Sequence, residues 1–143
     1  MRKMITLLLV ALVSAVFAMC TPKKDIPVES NWAVDKLYVE GNEISVPEGH
    51  NPYLAFLQDS KISGETGCNR FFGDFSAKGK EISFKNVGST RMMCPQMAFE
   101  NAFLGAINEA AQFTLAGDTL ALKDKEGNII AILKKIEPTA VEN

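Results

Sequence analysis

The sequence predicts an α+β domain: a small, strongly curved or partly closed antiparallel meander with one packed helix around residues 95–111. Three observations predict it. Short apolar runs alternate with polar residues between turn signals, as half-buried strands do. One stretch carries apolar residues at spacings of three and four, as an amphipathic helix does. The connections are short, so one helix can cover the open side of the curved sheet they build. A simple β-sandwich is the alternative.

The elements follow in order from the amino terminus. Arg2 and Lys3 precede an apolar run from Ile5 to Phe17, the length of a signal-peptide core rather than a membrane span. The run ends at Val16-Phe17-Ala18-Met19-Cys20, where lipoprotein signal peptidase would cut before a diacylglyceryl-modified Cys20. Met19 departs from the usual small residue before that cysteine. The competing reading is cleavage after Ala18, leaving an unlipidated secreted chain. Residues 1–19 are thus expected to be a signal peptide and residues 20–31, with Pro22, Pro27 and several charges, a flexible tether. The expected partner is a membrane, through lipid on Cys20, and the expected location the outer membrane of a cell envelope.

The domain is expected over residues 32–136. Trp32 to Val39 opens it as a strand, followed by a Gly41-Asn42 turn and the loop from Pro47 to Pro52. Tyr53–Leu57 and Lys61–Gly64 form a hairpin through Gln58-Asp59-Ser60, and Ile82 with Phe84 alternates against Glu81, Ser83 and Lys85. The helix starts at Pro95, which suits a first helical position. Phe99, Ala102, Phe103, Ala106, Ile107 and Ala110 make its apolar stripe, with Gln96, Glu100, Asn101, Asn108 and Glu109 elsewhere on the circumference. Phe113 with Leu115, Leu120 with Leu122, and Ile130 with Ile132 then predict a three-strand meander. Residues 137–143 carry no pattern and are expected to form a disordered tail.

Composition excludes several functions. The chain of 143 residues holds 15 Lys+Arg against 17 Asp+Glu, a net charge of -2, too balanced to attract nucleic acid. One histidine, His50, leaves little for acid–base chemistry. A Cys–His dyad with His50 competes against a better use for the cysteines, as each other's partner. Carboxylate pairs such as Asp35 with Glu40, or Glu100 with Glu109, look like solvated faces, and no cysteine or histidine spacing suggests zinc. Met92, Met93 and Met97 read as core or gap-filling residues. No catalytic residue, metal or cofactor is expected, and the domain is expected to be a monomer.

The least ordinary segments are Ser63-Gly64-Glu65-Thr66-Gly67-Cys68-Asn69-Arg70-Phe71-Phe72-Gly73 and Ser89-Thr90-Arg91-Met92-Met93-Cys94-Pro95. Gly64, Gly67 and Gly73 suit backbone angles or close approaches that a Cβ forbids. Asn69 suits a left-handed turn or a side-chain-to-backbone cap. The functional alternative places Asn69, Arg70, Thr90 and Arg91 on a recognition surface, with the arginines as carboxylate or phosphate forks. Ion pairing of those arginines with Asp74 or Glu100 is the bland explanation.

With Trp32, Pro52, Phe56 and Gly117-Asp118-Thr119-Leu120-Ala121-Leu122, these segments resemble the META domain, or HslJ-like, family from about Trp32 to Lys134. The resemblance implies a curved antiparallel sheet with one helix, in secreted or lipid-anchored envelope proteins. It also implies links to heat or envelope stress, novobiocin tolerance, motility and, in parasites, virulence. No catalytic residues are established for that family. The implied activity is therefore non-catalytic binding of an envelope protein or small molecule. An inhibitor or chaperone-like accessory acting by strand-edge pairing is the alternative, and a hydrolase a distant one.

Cysteine arithmetic adds one expectation. With Cys20 lipidated, Cys68 and Cys94 remain for a disulfide in an oxidising compartment, two buried free thiols being the alternative.

Overall fold

The computed structural model describes residues 25–137; the expected signal peptide, Cys20, the first part of the expected tether and most of the expected tail lie outside the described residues. Ten elements follow one another: β1 (Ser30–Val39), β2 (Asn42–Ile44), β3 (Tyr53–Phe56), β4 (Lys61–Glu65), β5 (Arg70–Lys78), β6 (Glu81–Ser89), α1 (Met97–Glu109), β7 (Gln112–Ala116), β8 (Thr119–Lys123) and β9 (Ile129–Ile136). All pairings are antiparallel, in sheet order β2-β1-β3-β4-β5-β6-β7-β8-β9.

Strand β1 closes the sheet on itself. One of its edges takes β3 at Ser30–Ala33 and β2 at Leu37–Val39, and the other takes β9 from Asn31↔Ile136 to Leu37↔Ala131. Closure is partial because β6 and β7 meet in register only at Glu81↔Gln112. Two backbone bonds, from Ile82 N to the Ala111 oxygen (3.1 Å) and from Phe113 N to the Lys80 oxygen (2.8 Å), reinforce that seam. Helix α1 packs against β1, β6 and β9. It buries Phe99, Phe103, Ala106 and Ile107 in one core with Trp32, Leu37, Leu54, Phe56, Phe71, Leu120, Leu122 and Leu133. Edge-to-face contact of Phe71 with Phe103, centroids 5.5 Å apart, joins sheet to helix. Trp32 is 1% exposed and donates its indole N–H to Ser30 Oγ (2.8 Å).

The structure departs from the sequence expectations at several places. The packed chain starts before Trp32: Ile26 is buried in the core and Ser30 already pairs with Phe56, so residues 25–31 are not a free tether. An apolar side chain among charges found a place to bury. Strand β5, not separately anticipated, pairs along its length with β4 and β6 despite its polar, glycine-bearing sequence. Helix α1 begins at Met97 behind an N-cap Gln96 that makes no side-chain cap, so Pro95 lies in the preceding turn. In β9 the buried residues are Ile130, Ala131 and Leu133, while Ile132 is half-buried. A register shift against β8, with Leu122↔Ala131 followed by Lys123↔Ile129, inserts Ile130 and changes the phase. A shift between Val34 and Lys36 likewise moves burial in β1 from Val34 to Leu37.

Candidate functional site

The two unusual segments meet at one end of the sheet. Thr66, Gly67, Cys68 and Asn69 turn β4 into β5, and residues 90–96 link β6 to α1. Gly67 takes φ +94° in that turn, a conformation glycine adopts without strain. Gly64 is needed for space: a Cβ there would collide with the Tyr53 carbonyl oxygen and the Phe71 ring. Cys68 is bonded to Cys94, with Cα atoms 6.0 Å apart, tying the turn to the helix entrance.

Beneath the bridge lies a polar network that the sequence reading placed elsewhere. Asn69 is 1% exposed, and its whole hydrogen-bonding capacity is used. Its Nδ2 donates to both Glu100 carboxylate oxygens (2.9 Å) and to the Met92 oxygen (3.0 Å). Its Oδ1 accepts from Met92 N (2.7 Å) and Thr90 Oγ1 (2.8 Å). Thr66 Oγ1 donates to Glu100 Oε2 (2.7 Å) and accepts from Asn69 N (3.0 Å). Glu100 is 4% exposed and has no ion-pair partner among the described residues. A buried carboxylate held only by neutral donors is costly to desolvate. Its position is legible afterwards: Glu100 stands three residues before Phe103 and seven before Ile107, flanking the apolar stripe rather than opposite it.

These contacts correct several expectations. Asn69 is buried rather than presented at the surface; it is the hub that caps the 90–94 segment, at a backbone angle outside the left-handed region. Glu100 is not a solvated face residue and pairs with neither arginine. Arg70 is exposed and bonds Glu65 through Nε (3.1 Å), while Asp74 is held by Lys61 and Asn86. Met92 and Met93, expected in the core, are 58% and 88% exposed, because the Asn69 clamp on the Met92 backbone turns their side chains outward. His50 lies beside Gly67, one residue from Cys68, but the Cys68 sulfur is committed to Cys94 and cannot be a nucleophile.

Above the network the outer face of the sheet is laid out by register. Tyr53, Glu65, Arg70 and Thr90 form one row, through Tyr53↔Glu65, Glu65↔Arg70 and a bond from Thr90 N to the Arg70 oxygen (2.9 Å). Ser63, Phe72 and Gly88 form the next. Phe72 is 60% exposed, its ring lying over Gly88, where an added Cβ would come within 2.9 Å of it. Burial raises the Tyr53 hydroxyl pKa, the Glu65 charge adds to that, and Arg70 opposes it. A groove of about 410 Å³ is lined by Glu65, Gly67, Cys68, Asn69, Arg70, Thr90 and Met92. A larger one, about 1110 Å³, lies at the β6–β7 seam, away from this face, among lysines and carboxylates of both signs. Among the described residues no group of three His, Cys, Asp or Glu is placed to hold a metal ion.

Comparisons with known proteins agree with this architecture. The chain is 35% identical over 74 residues to heat shock protein HslJ of Escherichia coli strain K12, covering 50% of this chain and 52% of that protein. It thus spans about half the length of that relative. An NMR structure of a protein from Burkholderia xenovorans superposes with a TM-score of 0.66 at 23% identity, covering 78% of this chain and 84% of that one. A crystal structure of a DUF4847 family protein from Bacteroides vulgatus gives 0.56 at 14% identity, over 75% and 92% of the two chains. At such identities these two likenesses concern the fold alone. The META domain model matches residues 25–137, the whole of the described chain, and the chain therefore belongs to the META domain family.

Proposed function

We propose that this chain is a lipid-anchored envelope protein whose META domain is a non-catalytic binding module in the response to heat or envelope stress, including tolerance to antibiotics of the novobiocin type. One observation carries the binding part. The protein spends a buried, fully hydrogen-bonded network on holding a segment whose side chains, Arg91, Met92 and Met93, are exposed. A fold needing only stability would more cheaply put apolar residues at Asn69 and Glu100. The kinship to a heat shock protein supports the stress setting. Strand-edge pairing is the alternative: β1 and β9 close one side of the sheet and the outer edge of β2 is three residues long, so the edge it would use is that of β6, which pairs with β7 only at Glu81↔Gln112.

The anchor is tested directly. Wild-type chain expressed with labelled fatty acid should incorporate label and sediment with membranes, and Cys20→Ser should abolish labelling and block processing or release the protein. Absence of label in the wild type ends the lipoprotein reading. A deletion strain should lose growth in heat with novobiocin and regain it with the wild-type chain but not with Cys20→Ser.

A further inference from the structure

We propose that the face carrying Phe72, Met92 and Met93 beside Arg70 and Arg91 docks a segment of another protein that presents an acidic side chain next to an aromatic or aliphatic one. The proposal rests on the binding-module reading above and specifies its partner. Single exposed apolar residues are ordinary on any surface. Here Phe72, Met92 and Met93, at 60%, 58% and 88% exposure, fall on the two segments that meet: Met92 and Arg70 line one groove, Arg70 and Phe72 are exposed two residues apart on β5, and Arg91 and Met93 are the exposed chain neighbours of Met92. Aromatic, Met and Arg side chains are the types enriched where protein interfaces are strongest.

The loop that presents the methionines is already ordered. Asn69 clamps Met92 through both its backbone groups, Thr90 is bonded on both sides, and Cys94 is bridged to Cys68. A partner docking there loses little loop entropy, which is what preorganisation contributes to affinity.

Charge chooses the partner's chemistry. Arg91 has no ion pair among the described residues, and Arg70 engages Glu65 through Nε alone, leaving its terminal guanidinium nitrogens without a partner among them. Two guanidinium groups flanking apolar side chains complement a carboxylate beside an apolar group.

The test selects 12-residue peptides from a random displayed library on the full chain purified in detergent micelles, then measures binding of the selected peptides. Enrichment of Asp or Glu within three positions of an aromatic or aliphatic residue is expected. Binding should weaken at least tenfold in Phe72→Ser, in Met93→Ser and in Arg91→Glu, and with rising salt. An Arg91→Glu protein should recover binding to the peptide whose acid is changed to Lys. Unchanged melting temperatures verify folding, and Met93→Ser, at the most exposed site, serves if Phe72→Ser misfolds. Peptides sensitive to Phe72→Ser or Met93→Ser but indifferent to charge would overturn the partner chemistry and leave the binding face standing. Peptides indifferent to all three variants would overturn both. So would binding of phosphatidylglycerol vesicles, lost in Met93→Ser, with no peptide selected, since the face would then be a membrane contact.

Discussion

At the scale of single residues, Asn69 holds the site together, its buried side chain bonded to Met92, Thr90 and Glu100 at once. Asn69 was legible as a side-chain cap from its place among glycines, but its partners, Met92, Thr90 and Glu100, are 21 to 31 residues away. Local pattern carries no information about such distances. The charge of Glu100 suggests solvent while its helical position borders the apolar stripe, and the apolar character of Met92 and Met93 does not bring burial in a segment whose backbone Asn69 holds. The network makes a quantitative prediction. Asn69→Ala removes the donor that faces Glu100 and the acceptor of Met92 N, leaving a buried carboxylate and a backbone N–H under-satisfied. A loss of roughly 2–4 kcal/mol is expected. Denaturant midpoints at constant m-value measure it. Glu100→Gln, which keeps an acceptor for Asn69 and Thr66, should cost less. A loss below about 0.5 kcal/mol for Asn69→Ala, the range of an ordinary surface change, would refute the hub.

Among elements, those read correctly are the ones whose evidence is local. The β3–β4 hairpin, the helix stripe and the β7–β8–β9 meander follow from alternation, periodicity and turn chemistry within each segment. What escaped depends on partners. The phase changes in β1 and β9 come from bulges set by the neighbouring strand, and β5 is held by pairing on both sides rather than by its own composition. Strand β1 is the element on which closure depends, since it pairs with β2, β3 and β9. Trp32 is its largest buried side chain, so Trp32→Ala should cost roughly 3–5 kcal/mol. Native fluorescence should be blue-shifted and should move to the red on unfolding. A red-shifted maximum in the native protein would show a wet indole and contradict the packing.

For the whole molecule, the closed side and the open side of the sheet are secured differently. Between β1 and β9 the ladder runs from Asn31↔Ile136 to Leu37↔Ala131, whereas between β6 and β7 one register pair and the helix must suffice. The Cys68–Cys94 bridge acts on that weaker side, because it fastens the entrance of α1 to the β4–β5 turn. It closes a loop of sequence separation 26, which in the chain-entropy model stabilises by about 3.5 kcal/mol, a large share of the stability of a domain this size. Reduction should therefore lower the melting temperature by roughly 10–20 °C. The loss should also be uneven. Amide exchange should rise most from residue 90 through the first turns of α1, where the bridge and the Asn69 network share one segment, and least in β1 and β9, whose ladder does not use it. Cys68→Ser with Cys94→Ser should reproduce both effects without reductant. If reduction left the melting temperature unchanged, the bridge would carry no share of the fold's stability. If exchange rose equally in β1, β9 and the helix entrance, the weak side would not open separately, and the sheet would unfold as a single unit.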